Sequence, residues 1–385
     1  AIEDIDHLEA ALLVGSNIRK EQPILAHRLR KAALNGADVS FINPLQLDLS
    51  FTARQQVASP HGMLQALAEV AKALGAKPKG DLAKLIGKAK LTDAAKATAT
   101  ALKEAERAAV LLGSLAESHP DYALLVGLAA AIAESSGATL GYMPTAANSV
   151  GAALAGALPH LAPAAKPQDK PGMNALEMQR QPCAGYLLLG VEPGMDFGNA
   201  ALSQSALATA DSVVALTAYR SQVLDEVADV LLPIAGFAET SGTYVNAAGS
   251  WQSFQGAVKP QGEARPAWKV LRVLGNLLDL DGFDYTDSQQ IRDELRQICG
   301  EPPALIVGVL KDVAINSSND SLSRIGDVPL YAQDALVRRA KSLQRTKEAR
   351  PAQIRINADE ARKQGLEAAD SAVAVSYTHL RAHET

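Results

Sequence analysis

Cysteine is nearly absent: Cys183 and Cys299 are the two in 385 residues, far apart and with no second cysteine at C-x-x-C spacing from either. Neither an iron–sulfur cluster nor a cysteine-based zinc site can be built by this chain alone, because each needs about four close ligands. A reducing cytoplasm is the default compartment. Aromatics are scarce, at 4%, and basic side chains are outnumbered by acidic ones, 37 to 42. A nucleic-acid binder, which needs a basic face, is not indicated. Long apolar runs are also missing. The longest, Ala123 to Ala133, falls well short of the roughly 18 residues that span a bilayer, and no charged-then-apolar leader opens the chain. No direct membrane span is expected, and any membrane contact runs through partners. The chain starts on Ala1 and enters strand-like sequence almost at once, so it reads as a piece of something longer.

What is present is enough length for two or three domains and a composition that is 48% hydrophobic and rich in alanine. Three segments share one grammar: "ALLVGSN" (Ala11 to Asn17), "ALLVGLA" (Ala123 to Ala129) and "YLLLGVEP" (Tyr186 to Pro193) each run apolar residues into a glycine. Buried parallel strands are apolar on both faces, and a glycine at the carboxyl end permits a tight turn into a helix. Further strands are predicted over Ala37 to Ile42, Ala138 to Met143, Ser212 to Tyr219 and Asp229 to Ile234. Strands alternating with amphipathic helices predict an α/β fold with doubly wound, Rossmann-like open sheets.

"PILAHRLRKAALNG" predicts a helix begun by Pro23 and stopped at Asn35-Gly36. "LTDAAKATATALKEAERAAVLLG" predicts one long helix closing on Gly113. The lysine-rich stretch Gly75 to Lys90 reads as a surface excursion, and Pro159 to Gly172 as a long connecting loop.

Motif tests are mostly negative. Glycines 190, 194 and 198 are four apart, whereas a dinucleotide fingerprint needs G-x-G-x-x-G, and Glu192 and Asp196 in that turn would repel phosphate. "GAKPKGD" lacks the Lys-Ser/Thr pair of a P-loop, and no G-x-S-x-G elbow is present. His379 and His383 have the four-residue spacing of zinc ligands on a helix face. They lie in "SYTHLRAHET", which breaks the preceding register and resembles a translated sequencing adapter, so residues 376–385 are set aside as a non-native tail. The other histidines are scattered and read as helix-surface or loop residues.

Nearly the whole chain to about Val375 resembles the molybdopterin oxidoreductase family. "LLVGSNIRKEQPILAHRLRKAALNGADVSFINP", "AANSVGAALAGALP" and "ADVLLPIAGFAETSGTYVNAAGSWQSFQGAVKPQGEARPAWKVLRVLGNLL" carry the likeness. Within it, "LLVGSNIRKEQP" and "GEARPAWKVLRVLGNLL" are similar to the branch formed by the G subunit of bacterial proton-translocating NADH-quinone oxidoreductase, respiratory complex I. The resemblance implies a formate dehydrogenase-like fold with two α/β lobes, residues 1–118 and 119–348. A truncated start of a carboxyl-terminal β-barrel would follow over 349–375. It also implies iron–sulfur clusters (2Fe-2S and 4Fe-4S) in an amino-terminal part upstream of this chain. Its expected partners are other peripheral-arm subunits, among them the flavin-bearing NADH-binding subunit and iron–sulfur subunits, on the cytoplasmic side of the bacterial inner membrane.

Departures from the family pattern bear on the cofactor. Where relatives have G-x-N-P, this sequence reads Gly190-Val191-Glu192-Pro193; "NPLQLDLSF" lacks an Asp-Pro-Arg; and Ser250-Trp251 stands where an Arg is common. Arginine is the natural bidentate partner of phosphate. Molybdopterin is therefore not expected, nor is a metal site or a catalytic residue. Asn17, Glu192, Gly242, Thr243, Asn246 and Gly249 are the candidates for a vestigial cofactor loop. In it, Gly242 and Gly249 would permit tight turns, and Thr243 and Asn246 would satisfy buried backbone groups. The alternatives are a molybdopterin-dependent catalytic chain, such as a formate dehydrogenase with its metal ligand upstream, and a nucleotide-binding α/β protein.

Overall fold

The computed structural model describes residues 1–300, 324–326, 330–349, 355–363 and 365–366. Two units are separable, Ala1–Val328 and Pro329–Thr385. Strand β1 (Ala10–Val14) is buried along its whole length. It pairs in parallel with β2 (Asp38–Asn43) on one side and β4 (Ala108–Leu112) on the other. Strands β3 (Arg54–Val57) and β5 (Thr139–Tyr142) complete a five-stranded parallel sheet of order β3-β2-β1-β4-β5.

Such a sheet needs cover on both faces, and the apolar alternation along β1 supplies it. Leu12 and Val14 join Leu64, Leu67, Leu124 and Leu128 in one core. Ala11 and Leu13 join Ile18, Leu29 and Phe41 in the other. The first core takes α3 (Pro60–Ala73), α4 (Asp81–Lys88), α5 (Asp93–Glu104) and α7 (Tyr122–Ser136). The second takes α1 (Ile18–Glu21) and α2 (Pro23–Leu34). Caps fix the starts: Ser59 accepts from the Gly62 amide and Thr92 from Ala95, while Gly137, at φ +79, ends α7.

Four expectations are corrected here. "ALLVGLA" is not a strand but lies inside α7. Periodicity cannot separate a fully buried helix from a buried strand, and the 15-residue length decides for helix. The long alanine-rich helix stops at Glu104, and Ala108–Leu112 becomes β4, where burial between β1 and β5 outweighs alanine's helix preference. The lysine-rich excursion contains α4, whose Ile86 is buried and whose end is held by Lys72 Nζ, which donates to the carbonyls of Gly87 and Ala89. Because β5 pairs with β4, the first lobe runs past the expected division at 118/119.

After α6 (Ser114–Glu117) and α8 (Ser149–Leu154), the segment read as a long loop forms a two-residue pairing of β6 (Leu161–Ala162) with β7 (Lys166–Pro167). A second parallel sheet, ordered β10-β9-β8, consists of β8 (Gly185–Leu189), β9 (Ser212–Thr217) and β10 (Val230–Pro233). One face packs Leu188, Val213 and Ala215 against Leu207 and Leu224. The Gly- and Ser-rich stretch that follows is an antiparallel hairpin of β11 (Gly242–Val245) and β12 (Trp251–Phe254). In the second unit the helices Ala335–Arg338 and Ala358–Lys363 are formed. The "SAVAV" segment of the expected barrel, His379, His383 and the 376–385 tail lie outside the described residues.

Candidate functional site

In an open parallel sheet, ligands bind beyond the carboxyl ends of the strands where strand order reverses. Here that place lies between β1 and β4. Gly15, at φ +57, turns the chain out of β1. The Ser16 amide donates to Asn43 Oδ1 at 2.8 Å, and Asn43 Nδ2 donates back to the Ser16 carbonyl at 2.9 Å. This reciprocal pair ties the loop to the end of β2.

Several of the backbone donors around this crevice are already taken. Glu21 Oε1 accepts from the Asn17 amide at 3.0 Å, and its Oε2 from the Ser114 amide at 3.4 Å, so one carboxylate bridges the loops after β1 and β4. The Gly113 amide donates to the Val14 carbonyl and the Ala116 amide to the Gly15 carbonyl. The hydroxyls of Ser16 and Ser114 are buried there without a partner among the described residues, but the gap is closed. A Cβ on Gly15 would fall on the Ala116 backbone, and one on Gly113 would lie 2.6 Å from Ser16 Cα.

The predicted site residues are spread over three places. Asn17 begins α1 in the crevice just described. Glu192 lies beyond β8, 6% exposed, its amide donating to Asp196 Oδ2 at 2.7 Å. Gly242, Thr243, Asn246 and Gly249 belong to the hairpin. Gly242 leaves room for the Phe254 ring, 2.8 Å from where its Cβ would be. Asn246 Oδ1 accepts from the amides of Ala248 and Ser250, and Gly249 turns at φ +76. Thr243 differs from expectation: its hydroxyl pairs with Ser253 Oγ at 2.9 Å, across the strands, and not with backbone.

Gly249 takes part in something the sequence did not reveal. The hairpin turn, with Ala247 and Ala248, walls a cavity of ≈ 590 Å³ at the carboxyl edge of β4 and β5. Leu140, Met143, Val150, Ala153 and Leu154 supply apolar lining; Tyr122 and Tyr142 supply two phenols, and Glu117 a carboxylate. Burial, reinforced by the neighbouring Tyr142 and Glu117, pushes the Tyr122 hydroxyl far up from its ordinary value, and burial raises Tyr142 as well. Asn148 seats the hairpin by accepting from the Val245 amide at 2.9 Å. A second cavity, of ≈ 510 Å³, lies at the end of β9 and β10, lined by Tyr219, Arg220 and Asp225. Arg220 is paired there with Asp225 at 2.8 Å.

Sequence reasoning also missed His119, which is buried. Its Nδ1 accepts from the Asp121 amide at 2.9 Å, which leaves Nε2 to donate to the Pro60 carbonyl at 2.8 Å. Among the described residues no group of three or more His, Cys, Asp or Glu could hold a metal ion. None of their helices is long and apolar enough to cross a membrane.

Comparison with known proteins gives a family model, Molybdopterin oxidoreductase, that matches residues 1–277. The chain is 30% identical over 133 residues to NADH-ubiquinone oxidoreductase 78 kDa subunit, mitochondrial, of Neurospora crassa, which covers 31% of this chain and 18% of that protein. It is 32% identical over 183 residues to the NADH-quinone oxidoreductase G subunit of Streptomyces coelicolor, covering 40% and 22%. It is 28% identical over 130 residues to a nitrate reductase of Shewanella frigidimarina, covering 33% and 14%. The chain thus spans between 14% and 22% of the length of these relatives.

Proposed function

The chain belongs to the molybdopterin oxidoreductase family, and on that premise we propose that it is a cofactor-free, structural region of the G subunit of proton-translocating NADH-quinone oxidoreductase. The observation that carries this reading is Glu21. Its carboxylate sits across the amides of Asn17 and Ser114, so the chain supplies from within the negative charge a pyrophosphate would bring. A second anion there would meet like charge, and the amides of Ser16, Asn17, Gly113, Ser114 and Ala116 already donate within the chain. The residues therefore do not suit a pyrophosphate-bearing pterin.

On this reading the region buries partner surface and holds a cluster-bearing domain at electron-transfer distance. The iron–sulfur clusters belong to an amino-terminal part of the same polypeptide. The partners are peripheral-arm subunits, including the flavin-bearing one that takes NADH, at the cytoplasmic face of the bacterial inner membrane. No residue of this chain is assigned a catalytic role. The likeness to a nitrate reductase favours a second reading, a catalytic chain that uses molybdopterin.

One experiment separates the two: extend the reading frame upstream of Ala1, purify the complete protein with its assembly, and measure iron, molybdenum and pterin. A cysteine-rich ferredoxin-like segment, with iron present and molybdopterin absent, is expected. Stoichiometric molybdopterin would overturn the structural reading in favour of the catalytic one.

A further inference from the structure

We propose that the cavity at the carboxyl edge of β4 and β5 is a binding site for an uncharged, mainly apolar ring compound that accepts hydrogen bonds. Its volume of ≈ 590 Å³ falls within the range of about 300–1,000 Å³ typical of small-molecule sites. It opens beyond the carboxyl ends of β4 and β5, one strand along from the switch point between β1 and β4.

The lining sets the chemistry. Leu140, Met143, Val150, Ala153 and Leu154 make most of the wall apolar, and Gly113 and Gly249 bring bare backbone to it. No Lys, Arg or His is found among the described residues that line it, whereas Glu117 is there with its negative charge. Phosphates and carboxylates are disfavoured by that balance, because an anion there would face the Glu117 carboxylate with no counter-charge in the described lining.

Specificity falls to Tyr122 and Tyr142. Neither hydroxyl makes a hydrogen bond to another described residue, and burial keeps both protonated well into alkaline solution. Two phenolic donors in an apolar chamber select a ligand that carries carbonyl or ether oxygens. The hairpin turn forms one wall, and Asn148 anchors it through the Val245 amide. The glycine- and alanine-rich turn thus shapes a chamber for a neutral compound, a ligand class different from a phosphate-bearing pterin.

The test uses coumarin, a neutral ring lactone, and coumarin-3-carboxylate, the same ring with one negative charge, titrated into the whole chain and followed by calorimetry. Saturable one-to-one binding of coumarin is expected, with the carboxylate weaker by at least about tenfold. The double variant Tyr122→Phe/Tyr142→Phe should weaken coumarin by a similar factor, and Ala153→Trp, which fills the chamber from half-exposed α8, should abolish binding. Should Ala153→Trp fail to fold, as judged by circular dichroism, Val150→Phe takes its place. The proposal is overturned by any of three results: no coumarin binding up to its solubility, equal binding of the two probes, or undiminished binding by a folded chamber-filling or double-phenylalanine variant. Because neither probe carries a phosphate, the outcome is independent of the molybdopterin measurement above.

Discussion

Asn148 accepts a hydrogen bond from the backbone nitrogen of Val245, 97 positions further along the chain, at 2.9 Å. The same Asn148 side chain occupies the space a Cβ on Gly151 would need, so this position in α8 must stay glycine for the link to form. Asn148→Ala strands the Val245 amide and is expected to destabilise the protein by about 1–2 kcal/mol. Asn148→Asp keeps the acceptor and should recover most of the loss. Urea unfolding of the two variants checks this, and equal losses would mean that the oxygen is not what matters.

Gly15 faces two constraints at once, a left-handed φ of +57 and the Ala116 backbone against its α-carbon. Gly15→Ala should therefore cost about 3 kcal/mol or more, strain and overpacking together. Gly36, also at positive φ but with nothing within 4 Å of where a Cβ would stand, is the control. There the alanine variant should cost only about 1 kcal/mol. Comparable melting temperatures for the two would contradict the close approach.

Alkaline behaviour follows from the phenols. Tyr122 and Tyr142 are raised above the ordinary value of 10.0, chiefly by burial. A raised native value means their contribution to stability is complete below that pH and is lost as the pH climbs through the native one. Tyr122→Phe is expected to lessen alkaline unfolding and to remove one hydroxyl from the latest part of the phenolate absorbance titration near 295 nm. A titration curve unchanged at its alkaline end would refute the assignment.

Asp6 governs the acid side. Its Oδ2 receives Lys31 Nζ and Arg28 Nη1, each at 2.8 Å. The Lys31 hydrogen bond, helped by the charges of Arg28, Lys31 and His7, holds the carboxyl below 3.8 against a smaller opposing effect of desolvation. Stability from a depressed carboxyl is present above the unfolded value and disappears as the pH falls through the native one. The deficit of Asp6→Asn relative to the parent should be visible near pH 7 and vanish at about pH 2. A deficit constant across that range would point to packing and away from charge.

The strands legible in the sequence were short apolar runs, some meeting a glycine, as at Val14-Gly15 and Leu189-Gly190, and others not, as at Asp38–Asn43 and Ser212–Thr217. Legibility failed where one physical signal serves two structures. The run from Ala123 reads equally as strand or buried helix, and the alanines before β4 hide the break at Ala105–Arg107. The crevice was legible only through Asn17, since the missing phosphate anchors at Glu192 and Ser250-Trp251 lie beyond β8 and in the hairpin. Glu21 sits within "LLVGSNIRKEQP", but nothing in that stretch marks it out, and it gains its role because folding brings it to Ser114, 93 residues away. The Tyr122–Tyr142 chamber was likewise hidden, since it exists only once Tyr122 is placed on a helix beside β5.

The strand order β3-β2-β1-β4-β5 also sets a timetable. During synthesis β1 is the first of these strands to be made, yet it lies at the middle of the sheet, and its second neighbour arrives only with Ala108–Leu112. Until then one side of an apolar, fully buried strand has no partner, and long-range parallel pairing of this kind is slow and prone to misassociation. Vulnerability in the cell is thus greatest for the nascent polypeptide between those two moments, when a ribosome pause before Leu112 is added would leave the sheet's central seam open to other chains.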